Sequence, residues 1–150
     1  MRQVLFCILC CCILISETEL KSININNNLP IQAISVSGRL FCGDSPVVGA
    51  PVKLIDRDHG DDRDDLLDER KTDEDGKFHV TGGTYEKATI EPALKIYHDC
   101  NDGEMKCQKR LFWDIPTKYI SIDLYQIPVF NIGSINLELG FGNEKRDCKH

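Results

Sequence analysis

Cysteine, histidine and clustered carboxylates are the residues of this chain whose types and spacing could do chemistry. In "HDCNDGEMKCQKR", residues 98–110, Cys100 and Cys107 flank a polar turn containing a glycine. Such a pair can hold a metal, cycle between thiol and disulfide, or staple two segments. Zinc sites use short C-x2-C or C-x2-H pairs, and thioredoxin-like sites use C-x-x-C. Cys42, Cys100, Cys107 and Cys148 fit neither pattern. Four histidines (His59, His79, His98 and His150) fall in different predicted segments, which argues against a convergent zinc site.

The other four cysteines lie in the opening stretch, Cys7, Cys10, Cys11 and Cys12. There an early Arg2 precedes an apolar run from Val4 to Ile15 that ends near Ser16, the pattern of a secretory signal peptide. The run is short of the roughly twenty residues that span a bilayer, and no later stretch replaces it, so the chain is not expected to be transmembrane. Residues 1–16, to about 20, are therefore predicted to be a cleaved signal. The protein is then expected to be secreted and extracellular, a location that includes the cell surface. An even number of cysteines left in an oxidising compartment reads as two disulfides, with three possible connectivities. The six residues between Cys100 and Cys107 can turn a hairpin, which predicts a Cys100–Cys107 bridge and leaves Cys42 for Cys148. No N-x-S/T sequon occurs, so N-glycans are not expected.

Charge is concentrated in one place. Residues 56–75 hold eleven acids against four bases, a window of −7 in a chain whose formal charge is −6. No basic stripe exists to neutralise phosphates, which argues against nucleic acid as a partner. Calcium needs six to eight oxygens, and Asp56, Asp58, Asp61 and Asp62 are the weak candidates to supply them. The order of an EF-hand loop is missing, so the run is read as a solvated surface loop and no metal or other cofactor is assigned. Lys106, Lys109 and Arg110 in "KCQKR" form a small positive spot that could meet a lipid phosphate; polybasic lipid sites use about four to eight bases. A solvated edge strand is the preferred reading.

The elements that must position these residues have period two. Residues 21–31, "KSININNNLPI", read as a loose lead. Then Ile34, Val36 and Leu40 share a face opposite Ser35, Ser37 and Arg39, with Gly38 where a bulge or a close backbone approach excludes a side chain. Val52 and Leu54, Phe78 and Val80, Leu94, Ile96 and His98, and Ile135, Leu137 and Leu139 alternate in the same way. His98 thus reads as a hydrogen-bonded core histidine and His79 as outward-facing. Turns are signalled at Gly43–Pro46, Asp75-Gly76, Gly82-Gly83 and Asn101–Gly103. Pro116 and Pro128 mark strand edges or bends. "DDRDDLLDERK" is the best helical candidate, with only Leu66-Leu67 as an apolar face. Short strands with frequent turns argue for one antiparallel β-sandwich with Greek-key links over residues 32–148.

"VSGRLFCGDSPVVGAPVKLIDRD", "DERKTDEDGKFHVTG", "IEPALKIYHDC", "IPTKYI" and "INLELG…RDC" are similar, in order, to the motifs of the nematode transthyretin-like family. The resemblance covers roughly residues 34–148. It implies a secreted, all-β, transthyretin-like sandwich of seven or eight strands, and it implies no single shared activity. One member is known as a bridge between exposed phosphatidylserine and a phagocyte receptor, and transport of hydrophobic ligands is suggested by analogy with transthyretin. The enzymatic branch of the wider superfamily, 5-hydroxyisourate hydrolase, uses histidines, an arginine and a terminal tetrapeptide resembling tyrosine-arginine-glycine-serine. This chain has Gly38-Arg39-Leu40-Phe41-Cys42 where that enzyme's first strand has its histidine, and it ends "NEKRDCKH".

These readings converge on a non-enzymatic extracellular interaction module that binds a protein or a membrane component such as an anionic lipid surface. The alternative is a carrier of a small hydrophobic ligand, and a 5-hydroxyisourate hydrolase-like enzyme is a remote third. No catalytic residue is assigned, since no nucleophile elbow or oxyanion loop is marked and the histidines have no evident shared pocket.

Overall fold

Alternating apolar residues build two β-sheets that face each other across a hydrophobic core. A computed structural model describes residues 29–58 and 63–149 of the chain. The predicted signal, residues 21–28 of the predicted lead, and His59, Asp61, Asp62 and His150 lie outside the described residues. The strands are β1 (Ile31–Cys42), β2 (Ser45–Pro46), β3 (Pro51–Asp56), β4 (Asp65–Lys71), β5 (Lys77–Tyr85), β6 (Pro92–His98), β7 (Gln108–Asp114), β8 (Val129–Asn136) and β9 (Lys145–Asp147). One sheet has the order β2-β1-β5, with β8 running parallel to β1 on its other side; the second has the order β4-β3-β6-β7-β9. Nine strands exceed the expected seven or eight. Two of the nine, β2 and β9, are only two and three residues long, too short to show alternation in sequence.

The core is the one the parity predicts. Ile34, Val36 and Leu40 of β1 and Val80 of β5 meet Val52, Leu54, Leu94 and Ile96 of the second sheet, all fully buried. Each such side chain stabilises the fold by ~1.5–3 kcal/mol relative to exposure. Gly38 serves both expected purposes. The β1–β8 register shifts between Ser37 and Arg39, and a β-carbon at Gly38 would stand 2.6 Å from Ile132 Cγ1. Gly76, with φ 75°, makes the turn after Asp75 that leads into Phe78, as "DEDGKF" suggests.

Within the predicted helix "DDRDDLLDERK", Asp65–Lys71 is instead the edge strand β4, antiparallel to β3. A single Leu-Leu pair gives a helix no apolar stripe. In a strand the same pair splits across two faces, so Leu67 packs on the core while Leu66 stays exposed. β4 also closes the sandwich against β5. Asp68 Oδ2 accepts from the Thr81 N–H at 3.0 Å, and Gly82 lies against the Leu67 carbonyl so closely that a side chain there would collide.

The predicted cysteine pairing is corrected by the structure. Cys42 bonds Cys100 across the two sheets, with α-carbons 5.6 Å apart, and Cys107 bonds Cys148 with α-carbons 4.6 Å apart. Cys100 continues the inward parity of Ile96 and His98 and reaches the end of β1. Pairing of Gln108 with Asp147 in the β7–β9 ladder places Cys107 opposite Cys148, the next pair in an antiparallel register. Cys107 takes φ 68° there. Arg146 ion-pairs with Asp102 and donates to the Cys107 carbonyl at 3.0 Å, so the 99–107 loop is held to β9. That guanidinium keeps the Asp102 carboxyl below the usual carboxylate range.

Candidate functional site

The outer face of the β8-β1-β5 sheet carries an open groove of about 590 Å³. Its floor is two cross-strand rows set by register. Lys77, Arg39 and Ser134 stand side by side on β5, β1 and β8, and His79, Ser37 and Asn131 form the adjacent row. Odd-numbered residues of β1 point outward because the even-numbered ones are committed to the core, which is why Ser37 and Arg39 share this face. Arg70 and Lys71, at the end of β4, and Asp73 in the following turn complete the wall.

Four cations therefore line the groove against one carboxylate, on a protein whose formal charge is −6. The Asp73 carboxylate is absorbed by the turn: its Oδ1 accepts from the backbone N–H groups of Asp75 and Lys77 at 3.0 and 2.8 Å. Arg39 is fixed by Nε, which donates to the Asp75 carbonyl at 2.7 Å, and by stacking 4.4 Å from the Phe41 ring centroid. Lys77 Nζ lies 2.7 Å from Asp75 Oδ2 and holds that carboxyl below its usual range. Arg70 touches Asp68 only through Nε, at 3.4 Å. Among the described residues the Lys71 ammonium has no hydrogen bond or ion pair.

His79 belongs to this groove, as the outward parity requires, and it shares it with Arg39, a juxtaposition that sequence reasoning missed. Its Nε2 is 2.7 Å from Ser35 Oγ and 3.2 Å from Thr81 Oγ1, and the two hydroxyls are 2.7 Å apart. A Ser–His contact is the first half of a nucleophile and its base. Here the serine is only 3% exposed, in mid-strand, and its Oγ is shared with a second hydroxyl, so the trio reads as a closed hydrogen-bond knot.

His98 is a core histidine, as predicted. It is 1% exposed, and its Nδ1 accepts from the Cys100 N–H at 3.3 Å, which leaves the proton of the neutral ring on Nε2. Nε2 lies 3.3 Å from Glu144 Oε1. Burial pushes the imidazole below its ordinary pKa, and the Glu144 carboxylate only partly opposes this.

The acidic run is not one solvated loop. Asp56 is buried at the end of β3, where Oδ1 accepts from the Glu91 N–H at 2.7 Å, and burial raises its pKa. Asp64 pairs with Lys95, and Asp65–Lys71 is strand β4. Of the calcium candidates, Asp56 is thus committed to a backbone contact, Asp58 is half-buried beyond the strand, and Asp61 and Asp62 lie outside the described residues. Among the described residues no cluster of three or more His, Cys, Asp or Glu could hold a metal ion. The expected edge strand around "KCQKR" is also corrected, because β9 covers residues 108–110 of β7. Lys109 donates to the Cys100 carbonyl at 2.9 Å and Arg110 to Asp147 at 2.9 Å, so two of the three bases hold the fold rather than face a lipid.

Arg39, Arg70, Lys71 and Lys77 were not singled out by sequence reasoning. The outward parity of Arg39 and Lys77 is visible in the sequence; that β4 folds its basic end beside them depends on the long-range closure of the sandwich.

The fold is thus a two-sheet, disulfide-stapled sandwich with an open polar groove on one face. Residues 37–116 match the sequence profile of the transthyretin-like family. Transthyretin-like protein 33 of Caenorhabditis elegans is 48% identical over 119 residues, 79% of this chain and 83% of that one. Transthyretin-like protein 5 of the same organism is 42% identical over 79% of this chain and 86% of its own length. Transthyretin-like protein 46 is 41% identical over 77% of this chain and 65% of its own length. The chain belongs to the transthyretin-like family. No helix among the described residues is long and apolar enough to cross a membrane.

Proposed function

We propose that this protein is a secreted, non-enzymatic interaction module that recognises an extracellular protein or cell-surface component through the outer face of the β8-β1-β5 sheet. The observation that carries the reading is the groove itself. It is open, polar and cationic, and the side chains of its floor are placed by sheet register rather than by a flexible loop. Carriage of a small apolar ligand is less well supported, because apolar ligands want enclosed, apolar-lined cavities and this groove is lined by Arg39, Arg70, Lys71 and Lys77. Catalysis is less well supported because the histidine in the groove is engaged by Ser35 and Thr81.

The test is saturable binding of the fluorescently labelled, oxidised protein to intact cell surfaces. Arg70→Glu with Lys71→Glu should reduce that binding while leaving the melting temperature within a few degrees of the parent, since both side chains are exposed. Absence of saturable binding, together with saturable uptake of an apolar fluorophore, would replace the module with the carrier.

A further inference from the structure

We propose that the groove on the β8-β1-β5 face binds a tetrahedral oxyanion, the phosphate or sulfate group of an ester, between Arg70 and Lys71 of β4 and Arg39 and Lys77 of the sheet. The proposal rests on the reading of this face as the recognition surface and adds the chemistry it recognises.

Charge and acceptor number select the ligand class. Residues 56–75 carry −7, yet Arg70 and Lys71 at the end of β4 both line the groove, while Asp68 is shared between the Thr81 N–H and Arg70 Nε and Glu69 pairs with Lys53. Asp75 offsets Lys77, Asp68 lies 3.4 Å from Arg70 Nε, and Asp73 is bonded into its turn, which leaves Arg39 and Lys71 without a carboxylate partner among the described residues. A phosphate or sulfate ester offers these cations three acceptor oxygens against the two of a carboxylate, and a phosphate monoester adds charge, at about −1.5 to −2 near neutral pH.

Donor geometry selects in the same direction. Arg39 is held by Nε and by the Phe41 ring, so its terminal nitrogens are oriented before any ligand arrives. Guanidinium groups present a planar fork suited to oxyanions, whereas the Lys71 ammonium acts as a point charge on a flexible stem. The floor adds neutral donors. Ser37 and Ser134 bring hydroxyls, and Asn131 brings its amide NH2, since its Oδ1 is already occupied by the Gly133 N–H at 2.8 Å. Gly133 leaves open space beside them, where a β-carbon would meet nothing within 4 Å. Two pairs of cations, Arg39 with Lys77 and Arg70 with Lys71, beside hydroxyl and amide donors suit a multidentate anion with several acceptors. They do not suit an aliphatic chain.

The experiment titrates the oxidised protein with inorganic phosphate, inorganic sulfate and acetate separately, following backbone amide shifts by NMR in a constant chloride background. Phosphate or sulfate should saturate, with the largest shifts at Ser37, Arg39, Lys77 and Ser134, and acetate should bind at least about tenfold more weakly. Arg70→Glu with Lys71→Glu should weaken the oxyanion at least about tenfold, and so should raising the salt until exposed charges are screened. Tighter phosphate than sulfate points to a phosphate ester, and the reverse to a sulfate ester. Loss of all saturation in the parent protein, shifts scattered away from the groove, or an unchanged affinity in the double variant would each overturn the proposal. Cell-surface binding that persists in excess phosphate and sulfate would sink this inference while leaving the recognition role intact.

Discussion

A β-carbon on Gly38 would sit 2.6 Å from Ile132 Cγ1 and 2.9 Å from the Phe78 ring, so one absent side chain lets β8 cross β1 at the bulge. Gly38→Ala must push core side chains off their rotamers, and overpacking of this kind costs ~1–3 kcal/mol. Urea unfolding should show a lower midpoint with an unchanged slope; a variant as stable as the parent would show that the contact relaxes without cost. His98 sets a second prediction at this scale. Its folded pKa is lowered by burial, so the unfolded chain binds more protons below about pH 6.5. The stability it contributes is present above that pH and is lost as pH falls through the window beneath it. Asp56, raised by burial, acts in the opposite sense just above the ordinary carboxylate pKa of 3.8, so a comparison of variants is needed to isolate the histidine. His98→Asn keeps an acceptor for the Cys100 N–H without a titrating ring. The melting temperature of the parent should drop more steeply than that of the variant between neutrality and pH 5. Parallel pH profiles would refute the assignment.

Elements were legible where alternation was long enough to be seen. The parity of β1, β3, β5 and β6 places Ile34, Val52, Val80 and Leu94 in the core as read, because a period of two leaves a strand one choice of face. β4 was misread because two adjacent leucines carry no period, and only the neighbouring strand decides what they become. The cysteines failed for a related reason. A polar turn between Cys100 and Cys107 makes a local bridge plausible, and nothing local reports that three residues near the C-terminus pair with β7 and bring Cys148 into register with Cys107. Non-reducing peptide mapping should find the 42–100 and 107–148 links. These close separations of 58 and 41 residues. On the chain-entropy account, replacing either pair by alanine should cost about 4 kcal/mol. A 100–107 peptide would restore the local bridge. The groove shares this partial legibility: outward parity marks Arg39 and Lys77, and sheet closure adds Arg70 and Lys71.

At the scale of the whole molecule the two sheets divide their labour. Lys95, Lys53 and Arg110 of the β4-β3-β6-β7-β9 sheet pair with Asp64, Glu69 and Asp147. The opposite face sets Arg39 and Lys77 beside Arg70 and Lys71 of β4, and with them the one histidine among the described residues that could tempt an enzymatic reading. Opening the ring of 5-hydroxyisourate needs a base with a free lone pair, a positioned water and donors aimed at the charge that develops. Arg39 could serve as a donor, but His79 Nε2 already faces two hydroxyls, and His98 is buried on the other sheet against Glu144. No second imidazole reaches the groove among the described residues. The purified, oxidised protein should therefore leave the spontaneous decay of 5-hydroxyisourate unchanged at any protein concentration. Decay that accelerates in proportion to protein, and returns to the spontaneous rate in His79→Ala with its melting temperature preserved, would make the groove an active site and end the binding-only account.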